Sequence, residues 1–302
     1  MSLFAGLIAF PPTPADTEGR VDVAGLATLV DRLATAKVDA VGVLGSTGSY
    51  AYLDLIQRSR AVAAAIEAAA GRVPIIVGVG ALRTSWACQL AVEAERQGAD
   101  GILMAPISYI PLTEDEVAWH YRTVARATAL PMCVYNNPGT THFTFSDQLI
   151  ADLASVPTIT AIKMPPAANR AYQGEMLRLR GQTPPDFQVG YSGDWEAADA
   201  LLAGASAWYS VVAGVLPEPA LRLTRAAQVG DAPTARMIDR AFAPLWALFQ
   251  KYGSIRVLHA IADQLSLPVA APPLPVRPAQ DVMDQISEAL QYVNTLTDLG
   301  SP

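Results

Sequence analysis

The chain is poor in lysine. Of its 21 basic residues only Lys37, Lys163 and Lys251 are lysines, and the rest are arginines. Cys88 and Cys133 are its only cysteines, too few for a disulfide framework and without metal-ligand spacing, which fits a reducing compartment. Charged residues make up 16% and the net charge is −7, which argues against nucleic acid and against a polybasic membrane anchor. No apolar run approaches the roughly 20 residues of a membrane-spanning helix. The start, MSLFAGLIAFPP, lacks a positively charged segment and has only a short apolar run, so no signal peptide is expected. The expectation is a cytoplasmic protein with no nucleic-acid or membrane partner and no metal or other cofactor.

What the chain does have is a regular alternation. Half of its 302 residues are apolar. Short apolar runs alternate with helical patterns: GLIAF (6–10), AVGVLG (40–45), PIIVGVG (74–80), GILMAP (101–106), PMCVY (131–135), ITAIKM (159–164), FQVGY (187–191) and ASAWYSVV (205–212). Between them Leu26, Leu29, Val30 and Leu33 mark one face of a helix, as do Ala87, Leu90, Ala91 and Ala94. Thr113 with Glu116 reads as a capping box, and Ser146 as the cap of a helix at 147–154. Further helices are expected at 54–70, 167–179, 194–203 and 218–229. Most of the strands are continuous apolar runs, the pattern of a parallel sheet covered on both faces. Eight strand–helix units in this length predict an α/β fold, a (β/α)8 TIM barrel over residues 1–230. An open doubly wound sheet is the rival; it would carry a glycine-rich loop after the first strand, and FPPTPADTEG is not one. Residues 231–302 predict a three-helix C-terminal extension, with helices at 232–251, 254–265 and 280–293. A connector bearing Pro268, Pro272, Pro273, Pro275 and Pro278 lies within it.

A parallel barrel places its active site at the carboxyl ends of its strands. Those ends carry GSTGS (Gly45–Ser49), APISYIP with Tyr109, YNNPGTT with Tyr135, Lys163, and YSGD with Gly193 and Asp194. Lys163 stands inside an apolar run. Burial disfavours a lysine's charged form and exposes a free amine, which can attack a ketone and form an imine. A buried ion-paired lysine, or a cation that binds an anion without covalent chemistry, fits the same position. GSTGS can cradle a small carboxylate with backbone N–H groups and the Ser46 and Thr47 hydroxyls, or serve as an ordinary βα turn. Tyr135 reads as a proton relay shared with Thr47 and a second tyrosine, or as an amphipathic core residue. His120 and His259 read as packing residues, and His142 as a loop residue near the site.

Taken together, GSTGS, YNNP, IK at 162–163, YSGD at 191–194 and YSVVAGV at 209–215 resemble the dihydrodipicolinate synthase / N-acetylneuraminate lyase family. The resemblance covers nearly the whole chain, tail included. It implies a Schiff base between Lys163 and pyruvate or another 2-keto acid, with Tyr135 as proton shuttle. It implies that Ser46, Thr47 and Gly48 form the loop that takes the keto-acid carboxylate, Thr47 also bonding Tyr135. It puts Tyr209 where a backbone carbonyl faces the site, and counts Gly193 and Asp194 among the substrate-binding residues. Tyr109 is implied to enter the site of a neighbouring subunit in a homo-oligomer, a dimer or tetramer. Two departures stand out. One extra residue separates Pro106 from Tyr109, and Thr140 stands where dihydrodipicolinate synthases carry the arginine that holds the second substrate's carboxylate. The expectation is therefore a Schiff-base lyase or aldolase whose second substrate differs from theirs. The alternative is an altered aldolase-like protein that binds an organic acid as a regulatory or scaffold module.

Overall fold

The structure, a computed structural model, describes residues 2–298 apart from 271, 273, 274 and 278. Pro273 and Pro278 of the proline-rich connector lie outside the described residues. Eight short strands follow one another in the chain. They are β1 (Gly6–Ala9), β2 (Ala40–Val43), β3 (Ile75–Gly78), β4 (Gly101–Met104), β5 (Met132–Tyr135), β6 (Ile159–Met164), β7 (Gln188–Tyr191) and β8 (Ala207–Ser210). Each pairs in parallel with the next, and β8 pairs with β1, so the sheet closes into a barrel. The α/β barrel expected from the alternation is the fold observed. No helix among the described residues is long and apolar enough to cross a membrane.

The outer ring comprises α1 (Val23–Ala36), α2 (Leu55–Ala69), α3 (Thr84–Gln97), α4 (Glu114–Ala125), α5 (Pro138–Thr141), α6 (Asp147–Ala154), α7 (Tyr172–Arg180), α8 (Ala197–Leu202) and α9 (Pro217–Gln228). Local chemistry starts several of them. Thr113 and Glu116 form a reciprocal capping box on α4, and the Ser146 hydroxyl accepts from Leu149 N on α6. The helix expected at 167–179 begins later, at Tyr172. Asn169 and Arg170 take positive φ and break the turn before it.

Side-chain alternation along the strands makes two separate buried layers. Residues such as Ile8, Phe10, Leu103, Cys133 and Ala161 point inward and fill the barrel. Their neighbours Leu7, Ala9, Ile102, Val134 and Ile162 point outward and pack under the helices. Register then settles what lies side by side at the carboxyl end. Tyr135 on β5 pairs with Lys163 on β6, and Lys163 pairs with Gly190 on β7.

The tail holds α10 (Ala232–Tyr252), α11 (Ser254–Gln264) and α12 (Met283–Asp298), the last preceded by a short 3-10 turn, Gln280–Val282. The Asp231 side chain caps α10 by accepting from Thr234 N. The outer buried cluster runs without interruption from the barrel helices into Phe242, Trp246, Val257 and Ile286 of the tail. The tail also turns over the barrel mouth, so Ser254 and Ile255 at the start of α11 and Val276 of the connector reach the cavity described next.

Candidate active site

A cavity of about 530 Å³ opens at the carboxyl ends of the strands. Lys163 contributes to its lining. The residue is 4% exposed, and among the described residues its side-chain amine makes no ion pair and no hydrogen bond. Aromatic rings surround the amine instead. Nζ stands 4.1 Å from the ring centroids of Phe10 and Tyr135, and 5.5 Å from that of Tyr209. Ring faces attract an ammonium without locking it to an acid, so the nitrogen stays available to a ligand.

Tyr135 shares the lining with Lys163. Its hydroxyl accepts a hydrogen bond from Asn137 Nδ2 at 3.0 Å. This corrects the expected bond from Thr47, whose hydroxyl turns to the Phe10 carbonyl at 3.5 Å. Thr47 is buried against the end of β1, and the nearest acceptor there is backbone. With its oxygen occupied by Asn137, the Tyr135 hydroxyl keeps its single proton to donate elsewhere. Asn137 follows Tyr135 by two residues in YNNP, the spacing that puts two side chains of an extended segment on one side. That spacing was the signal available in the sequence.

Ser46 and Thr47 line the cavity, whereas Gly48 is buried against the Leu44 backbone behind them. Gly193 lines it with φ +83°, and a Cβ there would meet the ring of Pro166. Asp194 also has partners outside the cavity. It borders the cavity, but its carboxylate accepts from Trp208 Nε1 at 2.9 Å and from the Val211 and Val212 N–H groups at 3.2 and 2.7 Å. Those three donors tie the β7 turn to the end of β8, which makes Asp194 a structural anchor. Burial pushes its carboxyl up to about 6, against the pull of these donors and of Lys163.

Tyr209 presents its ring to the cavity and sends its hydroxyl down the barrel, 3.2 Å from Cys133 Sγ. Tyr109 is 95% exposed and does not line the cavity of its own chain. His142 is exposed beside the mouth, and burial pushes His120 down to about 4 on α4, where Thr84 faces its Nδ1. Sequence reasoning missed Tyr50, Trp195, Ile255 and Val276, all of which line the cavity. Tyr50 rests under the guanidinium of Arg58, 5.3 Å from its ring centroid. Arg58 is itself buried, held by the Gly78 and Gly80 carbonyls and pushed down to about 10 by desolvation.

The pattern of the Dihydrodipicolinate synthetase family matches residues 3–292. The chain belongs to that family. A curated relative, the 4-hydroxy-tetrahydrodipicolinate synthase of Methylococcus capsulatus, is 35% identical over 247 residues, 80% of this chain and 82% of the relative. The crystal structure of dihydrodipicolinate synthase from Agrobacterium tumefaciens is 53% identical and superposes with a TM-score of 0.95, over 96% of this chain and 98% of that one. A putative dihydrodipicolinate synthetase from Pseudomonas aeruginosa is 30% identical, with a TM-score of 0.88 over 96% and 99% of the two chains. As a member of the dihydrodipicolinate synthetase family the protein is a class I aldolase. It is a Schiff-base-forming lyase that acts on pyruvate or another 2-keto acid.

Proposed function

We propose that Lys163 is the amine that forms the Schiff base. The observation that carries this reading is a buried amine that makes no ion pair among the described residues, set beside Tyr135 at the mouth of a closed barrel. The amine attacks the keto carbon, and loss of water from the carbinolamine leaves a protonated imine. The imine accepts the electron pair when a bond at the adjacent carbon breaks, and returns it when one forms. Tyr135 carries protons to and from the reacting atoms, held in place by Asn137. The Ser46 and Thr47 hydroxyls with the loop N–H groups receive the keto-acid carboxylate. The ring face and backbone of Tyr209 complete the floor, and the exposed Tyr109 serves the site of a neighbouring subunit in a cytoplasmic homo-oligomer.

The second substrate differs, in this reading, from that of dihydrodipicolinate synthase. Thr140 stands at the cavity wall where an arginine would grip a carboxylate, and a threonine hydroxyl supplies no counter-charge. The test is reductive trapping. Pyruvate with borohydride is expected to add one three-carbon unit at Lys163, located by peptide mass, and Lys163→Ala is expected to abolish it. An unmodified intact mass across several 2-keto acids refutes the assignment.

A further inference from the structure

We infer that the part of the substrate beyond the 2-keto acid is uncharged. The inference rests on the reading above, in which Lys163 and the Ser46–Thr47 loop take the keto-acid end. The cavity extends past that end toward the mouth, and its outer wall comes from four separate segments. Trp195, Val211, Ile255 and Val276 make it largely apolar. The polar groups among them are neutral: Asn137, Thr140 and Ser192 offer amide and hydroxyl groups.

Among the described residues Lys163 is the only basic one lining the cavity, and as the protonated imine its charge stays at the keto-acid end. Another buried cation, Arg58, stacks on Tyr50, and its two terminal guanidinium nitrogens donate to the Gly80 and Gly78 carbonyls. The one carboxylate at the described wall, Asp194, would repel a second acid. Ser254 and Ile255 open α11 at the rim, and a helix N-terminus attracts anions. That attraction is smaller than the cost of drying a carboxylate against Trp195 and Ile255 without a counter-charge. An aldehyde or leaving half with apolar carbon and free hydroxyls meets matching groups instead.

The test uses 2-oxohexanoate and 2-oxoadipate, equal in chain length and different only in the terminal carboxylate. Both present the same end to Lys163. In borohydride trapping, the half-saturating concentration is expected to be lower for 2-oxohexanoate by about ten-fold or more. Thr140→Arg is expected to narrow that ratio by improving 2-oxoadipate. Equal trapping of the pair by the unaltered protein, or a preference for 2-oxoadipate, overturns the inference and leaves the imine standing. Failure of pyruvate itself to label Lys163 overturns the imine instead. The charge preference is then read from thermal stabilisation by the same two acids, which needs no covalent bond. A shift by 2-oxoadipate equal to or larger than that by 2-oxohexanoate overturns it there.

Discussion

Gly78→Ala perturbs the site through one methyl group placed outside it. Gly78 ends β3, directly beneath the loop that follows β2. A Cβ at that position would stand 2.7 Å from the Leu44 carbonyl carbon and closer still to its oxygen, whereas ordinary contact begins at 3.4 Å. The Leu44 backbone, or β3 itself, must move by about 1 Å. β3 resists, because the Gly78 carbonyl accepts from the buried Arg58 at 2.8 Å. Leu44 already holds φ +58°, so the strain passes into the segment carrying Ser46 and Thr47. Overpacking of this kind costs ~1–3 kcal/mol of stability. A 1 Å misplacement of positioning groups costs on the order of 10²-fold in rate. The assay is urea unfolding alongside pyruvate–borohydride trapping at Lys163, with Gly174→Ala as control. Gly174 lies in α7, where an added methyl would have nothing within 4 Å, so that change is expected to be neutral or to stabilise by up to ~1 kcal/mol. Trapping by Gly78→Ala with unchanged rate and half-saturation would refute the idea that β3 holds the carboxylate loop in place.

Asn137→Val removes the donor on the Tyr135 hydroxyl. A single hydrogen bond of ~1 kcal/mol predicts a roughly five-fold slower exchange of pyruvate methyl hydrogens for deuterium, followed by NMR, with Lys163 still trapped by borohydride. Undiminished exchange would contradict the positioning role. Asp194 links stability to pH: its folded carboxyl is raised to about 6 from an ordinary 3.8, so protonation favours the folded state. Its contribution is fully present below the ordinary value and is lost as pH rises through 6. The unfolding free energy of the protein relative to Asp194→Asn is therefore expected to fall by ~2 kcal/mol between pH 4 and pH 8, and a flat difference in urea titrations counts against it. Cys133 is fully buried with its thiol pushed up to about 12, so a thiol reagent is expected to label Cys88 first and Cys133 only on unfolding.

The strands were legible because each is a run of four to six residues, almost all buried, closed by a turn. Lys163 was legible for a related reason: a lone lysine in such a run needs a role, and its carboxyl-end position names the face where that role lies. The anchoring of Asp194 was not legible, because its three donors, Trp208, Val211 and Val212, belong to the next strand and its turn, and nothing local to YSGD announces them. Thr47 misled because motif order says which residues gather, not which acceptor a hydroxyl turns toward. Asn169 and Arg170 take left-handed backbone that helix periodicity does not register. Ile255 and Val276 left no mark at all, since they reach the cavity from the tail, far along the chain from Tyr135 and Lys163.

The tail's passage over the mouth divides labour along the polypeptide. The cavity floor that we propose makes the bond comes from β5, β6 and β8, while part of the roof comes from a stretch that supplies no strand. Replacing residues around Ile255 and Val276 is expected to change which molecules are admitted without disturbing the lysine or the ring cage around it. Relatives can thus diverge in diet while keeping one chemistry, and exchange of that C-terminal stretch between them is the natural place to look for transferred substrate choice.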